Sequence, residues 1–91
     1  MSAVNAASRP RVGVGFRLQW EMVQNCHVLL YPEGMVKLNR SAGEILQRCD
    51  GAQEVTAIVT DLERSFNASD LSQEVLAFLE IALQQKWVEL A

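Results

Sequence analysis

The side chains of this sequence that could do chemistry are few and do not cluster. Cys26 and Cys49 form no Cys-x-x-Cys pair. The single histidine, His27, cannot complete a tetrahedral metal site with them. Both thiols are therefore expected to be reduced and mostly buried. His27 stands in an apolar run beside Val28 and has no Ser, Cys or carboxylate of defined geometry to work with, so a structural role is expected. Glu33 is solitary, which leaves paired-carboxylate acid–base chemistry without support. No Gly-rich phosphate loop, nucleophile elbow or metal-ligand spacing occurs in the chain. The residues predict no enzyme, no metal and no cofactor.

Composition narrows the partner. In the 91 residues, 49% are hydrophobic and 21% charged, the balance of a folded domain and not of a disordered chain. A chain this short hides only about 60 to 65% of the surface its unfolded form exposes, which leaves little room for a deep catalytic cavity. The net charge of −3 gives no excess of Lys and Arg to neutralise a phosphate backbone, so nucleic acid is not expected as a partner. The first eight residues, Met1 to Ser8, have no basic residue before a long apolar run, and neither a signal peptide nor a membrane span is read there. A cytoplasmic protein is expected, without membrane contact.

The elements that would carry a binding surface follow from periodicity. Residues 1–11 are small and polar, include Arg9-Pro10-Arg11 and lack an apolar period, so they read as a flexible tail ahead of a domain at 12–91. From Phe16 the pattern has period two, with Phe16, Leu18 and Trp20 on one face and Arg17, Gln19 and Glu21 on the other. Cys26 to Tyr31 is a second apolar run. It ends at Pro32-Glu33-Gly34, a turn signal, and Met35 to Leu38 returns as a hairpin partner. Asn39 or Ser41 can cap the first helix, Ser41-x-x-Glu44 matching a capping box, and Asp50-Gly51 reads as its stop signal.

A second helix carries Val55, Ile58, Val59 and Leu62 on one stripe and is closed by Phe66. The longest helix follows a cap read at Asp70 and Gln73, and it places Leu71, Val75, Phe78, Leu79, Ala82 and Leu83 on an apolar side. Trp87 and Val88 are expected to pack back onto the core. Strands followed by helices, without alternation, predict an α+β fold: a three-stranded antiparallel sheet and then three helices, in a winged-helix-like arrangement.

The run His27-Val28-Leu29-Leu30-Tyr31-Pro32-Glu33-Gly34-Met35-Val36-Lys37-Leu38-Asn39 is similar to the signature of the PqqD family. The similarity continues through Ala42, Ile45-Leu46 and Cys49-Asp50-Gly51 and on through Val55, Ile58, Val59 and Leu62. The region before about Pro10 lies outside it. The resemblance implies a winged-helix domain that recognises ribosomally made, modified peptides and catalyses nothing. It implies two partners, the PqqA precursor peptide and the radical SAM enzyme PqqE of pyrroloquinoline quinone (PQQ) biosynthesis. It further implies that the peptide's leader joins the sheet as an extra strand beside the third strand, at Met35, Val36, Lys37 and Leu38. The groove wall would then come from Leu71, Val75, Phe78 and Leu79 of the third helix.

The residues themselves are compatible with this. A three-stranded sheet has two edges whose backbone groups an extended peptide can pair with. The stripe Leu71, Val75, Phe78 and Leu79 is expected to be mainly core, with some of it at a groove rim. Val36 and Lys37 must differ in hydrogen-bond direction, and the sequence leaves open which of them points outward. An open edge also leaves a homodimer as an expectation. The alternative from another class, a winged-helix DNA-binding regulator, is disfavoured because Asp70 to Glu80 contains Asp70, Glu74 and Glu80 and no Lys or Arg.

Overall fold

The computed structural model describes residues 3–91. In chain order the elements are β1 (Pro10–Val12), β2 (Arg17–Glu21), β3 (Cys26–Tyr31), β4 (Gly34–Lys37), α1 (Arg40–Gln47), α2 (Val55–Ser65), α3 (Ser72–Gln84) and β5 (Val88–Leu90). β2, β3 and β4 form an antiparallel sheet with β3 in the centre. The α+β class, with a three-stranded antiparallel sheet and three helices, is therefore the observed fold.

Register turns the period-two pattern into a face. Leu18 lies opposite Leu29 and Leu29 opposite Val36, while Trp20 lies opposite His27. Phe16, Leu18, Leu29, Val36 and Leu38 accordingly face the helices, Leu29 and Leu38 within the core and the others packed against it. The Phe16 and Tyr31 rings meet at 5.6 Å between centroids. The β2–β3 turn closes on Asn25 at φ 56°, a left-handed conformation that Asn tolerates better than most residues.

α1 lies against β3 at Gly43, where an added Cβ would come within 2.6 Å of His27 Nδ1. The absence of a side chain there is what allows the helix so close. Of the two caps foreseen, Asn39 is the one used: its Oδ1 accepts from the Ala42 amide at 2.8 Å. α1 ends at Gln47, ahead of Asp50-Gly51. That pair instead shapes the link to α2: the Asp50 carboxylate accepts from the Ala52 and Gln53 amides, and Gly51 takes φ 80°. Arg48 ties the two helices together through Glu44 and Asp61.

α2 buries Val55, Ile58, Val59 and Leu62, as its stripe predicts. α3 buries Val75, Leu79 and Ala82. The cap expected at Asp70 and Gln73 is not formed. Leu71 is the residue at the N-cap position and makes no side-chain capping bond, while Asp70 adopts φ 59° and turns away before the helix starts. The Leu71 amide is satisfied from α2 instead, by Glu63 Oε2 at 3.1 Å.

The N-terminal segment departs most from the sequence reading. Met1 and Ser2 lie outside the described residues, but the rest of the expected tail is built into the domain. Val4 is only 2% exposed and belongs to the core, and its amide donates to Glu80 Oε1 at 2.7 Å. Glu54 gives α2 no side-chain cap. The first amides of that helix, Val55 and Thr56, donate instead to the Ser8 and Ala6 carbonyls at 2.9 and 3.1 Å. β1 pairs with β5 from Pro10↔Leu90 to Val12↔Val88, joining both ends of the chain in a two-stranded ribbon. A single apolar residue and a three-residue strand leave no periodic trace, which is why this anchoring was invisible in the sequence.

Candidate functional site

β4 has one strand neighbour, β3, so one of its edges faces outward among the described residues. The direction of its backbone groups follows from one bond. The Leu38 amide donates to the His27 carbonyl at 3.0 Å, which makes that pair a hydrogen-bonded one. Alternation then gives the same character to Val36 with Leu29 and to Gly34 with Tyr31 across the β3–β4 register. Met35 and Lys37 are the residues left over. Their N–H and C=O groups point away from β3 and are available to another strand.

Beside this edge lies a groove of about 600 Å³, bounded by β4, the start of α1, the end of α2 and α3. Val36, Lys37, Leu38, Leu71, Val75 and Phe78, six of the eight residues expected at the site, line it. The other two do not. Leu79 is 0% exposed and belongs wholly to the core. Met35 is 50% exposed but lies on the opposite face of the sheet from Val36, contributing its backbone edge and not a groove wall.

Several groove residues were not anticipated as such. Phe66 closes α2 and Trp87 packs against the core, as the sequence reading has them, and both also line the groove. Ile81, one turn beyond Phe78 on α3, lines it too and is 52% exposed. The signal for it was an apolar residue three positions after Phe78 and off the buried stripe. The Phe78 and Trp87 rings lie 6.4 Å apart between centroids. The Arg40 guanidinium sits 5.0 Å from the Phe66 ring centroid, a cation–π contact that holds a positive charge over the groove mouth. Charge on the lining is divided. Arg40 stands on the α1 side, Glu74 stands on α3, and Glu44 is already paired with Arg48, while Lys37 borders the groove at the β4 edge with its side chain on the same sheet face as Met35.

Burial separates the two thiols. Burial, with the Asp50 charge adding to it, pushes the Cys49 thiol up to about 12, and its Sγ lies 3.3 Å from the Ile45 carbonyl. Cys26 is half-buried, and neither thiol is in a disulfide. His27 packs edge-on to Trp20 at 4.9 Å. Among the described residues no group of His, Cys, Asp and Glu is arranged to hold a metal ion. None of the helices there is long and apolar enough to cross a membrane.

An open strand edge beside an apolar groove puts the domain among small α+β folds whose edge an extended segment of another chain can join. Comparison with known proteins makes the assignment specific. The sequence model of Coenzyme PQQ synthesis protein D (PqqD) matches residues 26–88. The chain belongs to the PqqD family. It is 52% identical to the PqqA binding protein of Azotobacter vinelandii and 48% identical to that of Stutzerimonas stutzeri, each over 91 residues covering 99% of both chains. A PqqA binding protein of Klebsiella pneumoniae is 51% identical over 75 residues, 81% of this chain and 82% of that one. The fold matches the solution structure of the PqqD truncation of Methylobacterium extorquens PqqCD, described as a functional, stand-alone recognition element for ribosomally synthesised and post-translationally modified peptides. That match has a TM-score of 0.81 at 30% identity and covers 97% of this chain and 96% of the other.

Proposed function

We propose that this protein binds the PqqA precursor peptide as an added strand along β4 and presents it to PqqE in PQQ biosynthesis. The observation that carries the reading is the outward direction of the Met35 and Lys37 backbone groups at the rim of an apolar groove. Backbone pairing there supplies sequence-tolerant affinity, and the groove receives every second side chain of the peptide and supplies selectivity. The names of the relatives and the description of the Methylobacterium structure support PqqA as the ligand. A cytoplasmic site of action is part of this reading, and two cysteines outside any disulfide support it.

Amide exchange and chemical shifts followed during titration of labelled protein with synthetic PqqA test the reading. The Met35 and Lys37 amides should become protected on binding, and those of Val36 and Leu38, already bonded to β3, should change little. Protection centred on β2, the other edge, would move the site. Addition of PqqE to the binary complex should then give a ternary complex detectable by calorimetry or gel filtration.

A further inference from the structure

If the peptide docks on β4, the face of the sheet turned away from the groove also meets it. A residue added opposite Lys37 or Met35 directs its side chain to the face those two share, while its neighbours enter the groove. That outer face is made of Arg17, Gln19 and Glu21 from β2, Cys26, Val28 and Leu30 from β3, and Met35 and Lys37 from β4.

Lys37 lies in a row with Val28 and Gln19, neither of which can neutralise it. Among the paired residues of the three strands the acid on this face is Glu21, one row and two strands away, and its Oε1 accepts from the Val23 amide. None of the four ion pairs among the described residues includes Lys37. Arg40 adds a second positive charge at the same end, held by the Phe66 ring and not by a carboxylate. In the next row Met35, half exposed, lies opposite Leu30 and continues an apolar strip that ends at the open edge. A cation outside the ion pairs of the described residues and a half-exposed methionine at the open edge thus lie two residues apart on one strand.

Resting on the docking reading above, we propose that the outer face of β4 selects the bound peptide for an acidic residue opposite Lys37 and an apolar residue, two positions along, opposite Met35. Cross-strand neighbours on one face are close enough for both contacts. The order of the two features also reports strand direction. In an antiparallel complex the acid comes before the apolar residue in the peptide, and in a parallel one it comes after.

The test uses synthetic PqqA carrying a single Glu or a single Lys at each position in turn, titrated by calorimetry into the wild type and into Lys37→Glu, with circular dichroism to confirm that both are folded. At one position Glu should bind the wild type about two- to fivefold more tightly than Lys, the range that a cross-strand charge pair gives. Lys37→Glu should invert that preference at the same position. Two residues away, a charge of either sign should weaken binding to the wild type and make much less difference to Met35→Ser. An unchanged charge ranking with Lys37→Glu, while PqqA still binds and is weakened by Phe78→Ala, overturns the selection and leaves docking intact. An inversion that follows Arg40→Glu and not Lys37→Glu also overturns it. Failure of unmodified PqqA to bind the wild type removes the docking reading and the selection together.

Discussion

The Leu38 amide bonds to the His27 carbonyl, and this one contact makes the neighbouring residues Val36 and Lys37 opposite in kind. Val36 spends its backbone on β3, and Lys37 presents its backbone outward. Proline, which removes an amide donor, separates the two. Val36→Pro should break the β3–β4 ladder and leave the Leu29 carbonyl unpaired, at about 1–3 kcal/mol before any steric effect. A lower melting temperature and a weaker strand signal in circular dichroism would register this. Lys37→Pro should fold normally and bind PqqA at least about tenfold more weakly, having lost one hydrogen bond and gained an obstruction at the edge. Full affinity in a folded Lys37→Pro protein would rule out β4 as the docking edge.

Deleting residues 1–9 should destabilise the domain strongly. The deletion removes the buried side chain of Val4 and the carbonyls of Ala6 and Ser8 that cap α2. Burial of a valine contributes about 1.5 kcal/mol or more, and each cap about 0.5–1.5 kcal/mol. For a domain of this size about 3 kcal/mol corresponds to a fall in melting temperature of more than about 10 °C. A melting temperature within a degree or two of the parent would mean that the segment contributes nothing to stability.

That contrast shows where sequence reasoning stops. The strands from Arg17 to Lys37 and the stripe of α2 were legible because alternation and helical spacing repeat over several residues within one element. The ribbon joining Pro10 to Leu90 was not, since a three-residue strand carries no period and its partner lies at the other end of the chain. The same limit blurred the groove. Leu71, Val75, Phe78 and Leu79 form one apolar stripe in the sequence, and only the packing separates Leu79, wholly in the core, from Val75, a core residue that also lines the groove, and from the partly buried Leu71 and Phe78. The parity of β4 needed the register, which one hydrogen bond supplies and composition cannot.

Cys49 should make stability fall in alkali. Burial raises its thiol from the ordinary value of 9.0 to about 12, so the folded protein holds this proton more tightly than the unfolded chain does. The contribution is fully present below pH 9.0 and is lost as pH rises from there through about 12. Cys49→Ala, with no proton to lose, should show a flatter decline in denaturant midpoint across that window, despite a lower starting stability from the cavity it leaves. At neutral pH a thiol reagent should modify Cys26 readily and Cys49 only as fast as the domain opens. Equal rates at the two positions would contradict the burial of Cys49.

Leu79 and Ile81, two residues apart on α3, should fail in different ways. Leu79 is wholly buried among the core residues, so Leu79→Ala should cost about 2–5 kcal/mol of stability, the range for a leucine replaced in a packed interior. Any loss of PqqA binding there should be recovered under conditions that restore the fold, such as lower temperature. Ile81 lines the groove with half of its surface in water, so Ile81→Ala should change stability by less than about 1 kcal/mol. Its effect should fall on the complex, where losing an apolar contact of this size raises the PqqA dissociation constant by roughly three- to tenfold. Calorimetry for binding and denaturant unfolding for stability separate the two residues. An Ile81→Ala protein that binds PqqA like the parent would exclude this end of the groove from the docking site, and the bound strand would then have to lie nearer Leu71 and Phe66.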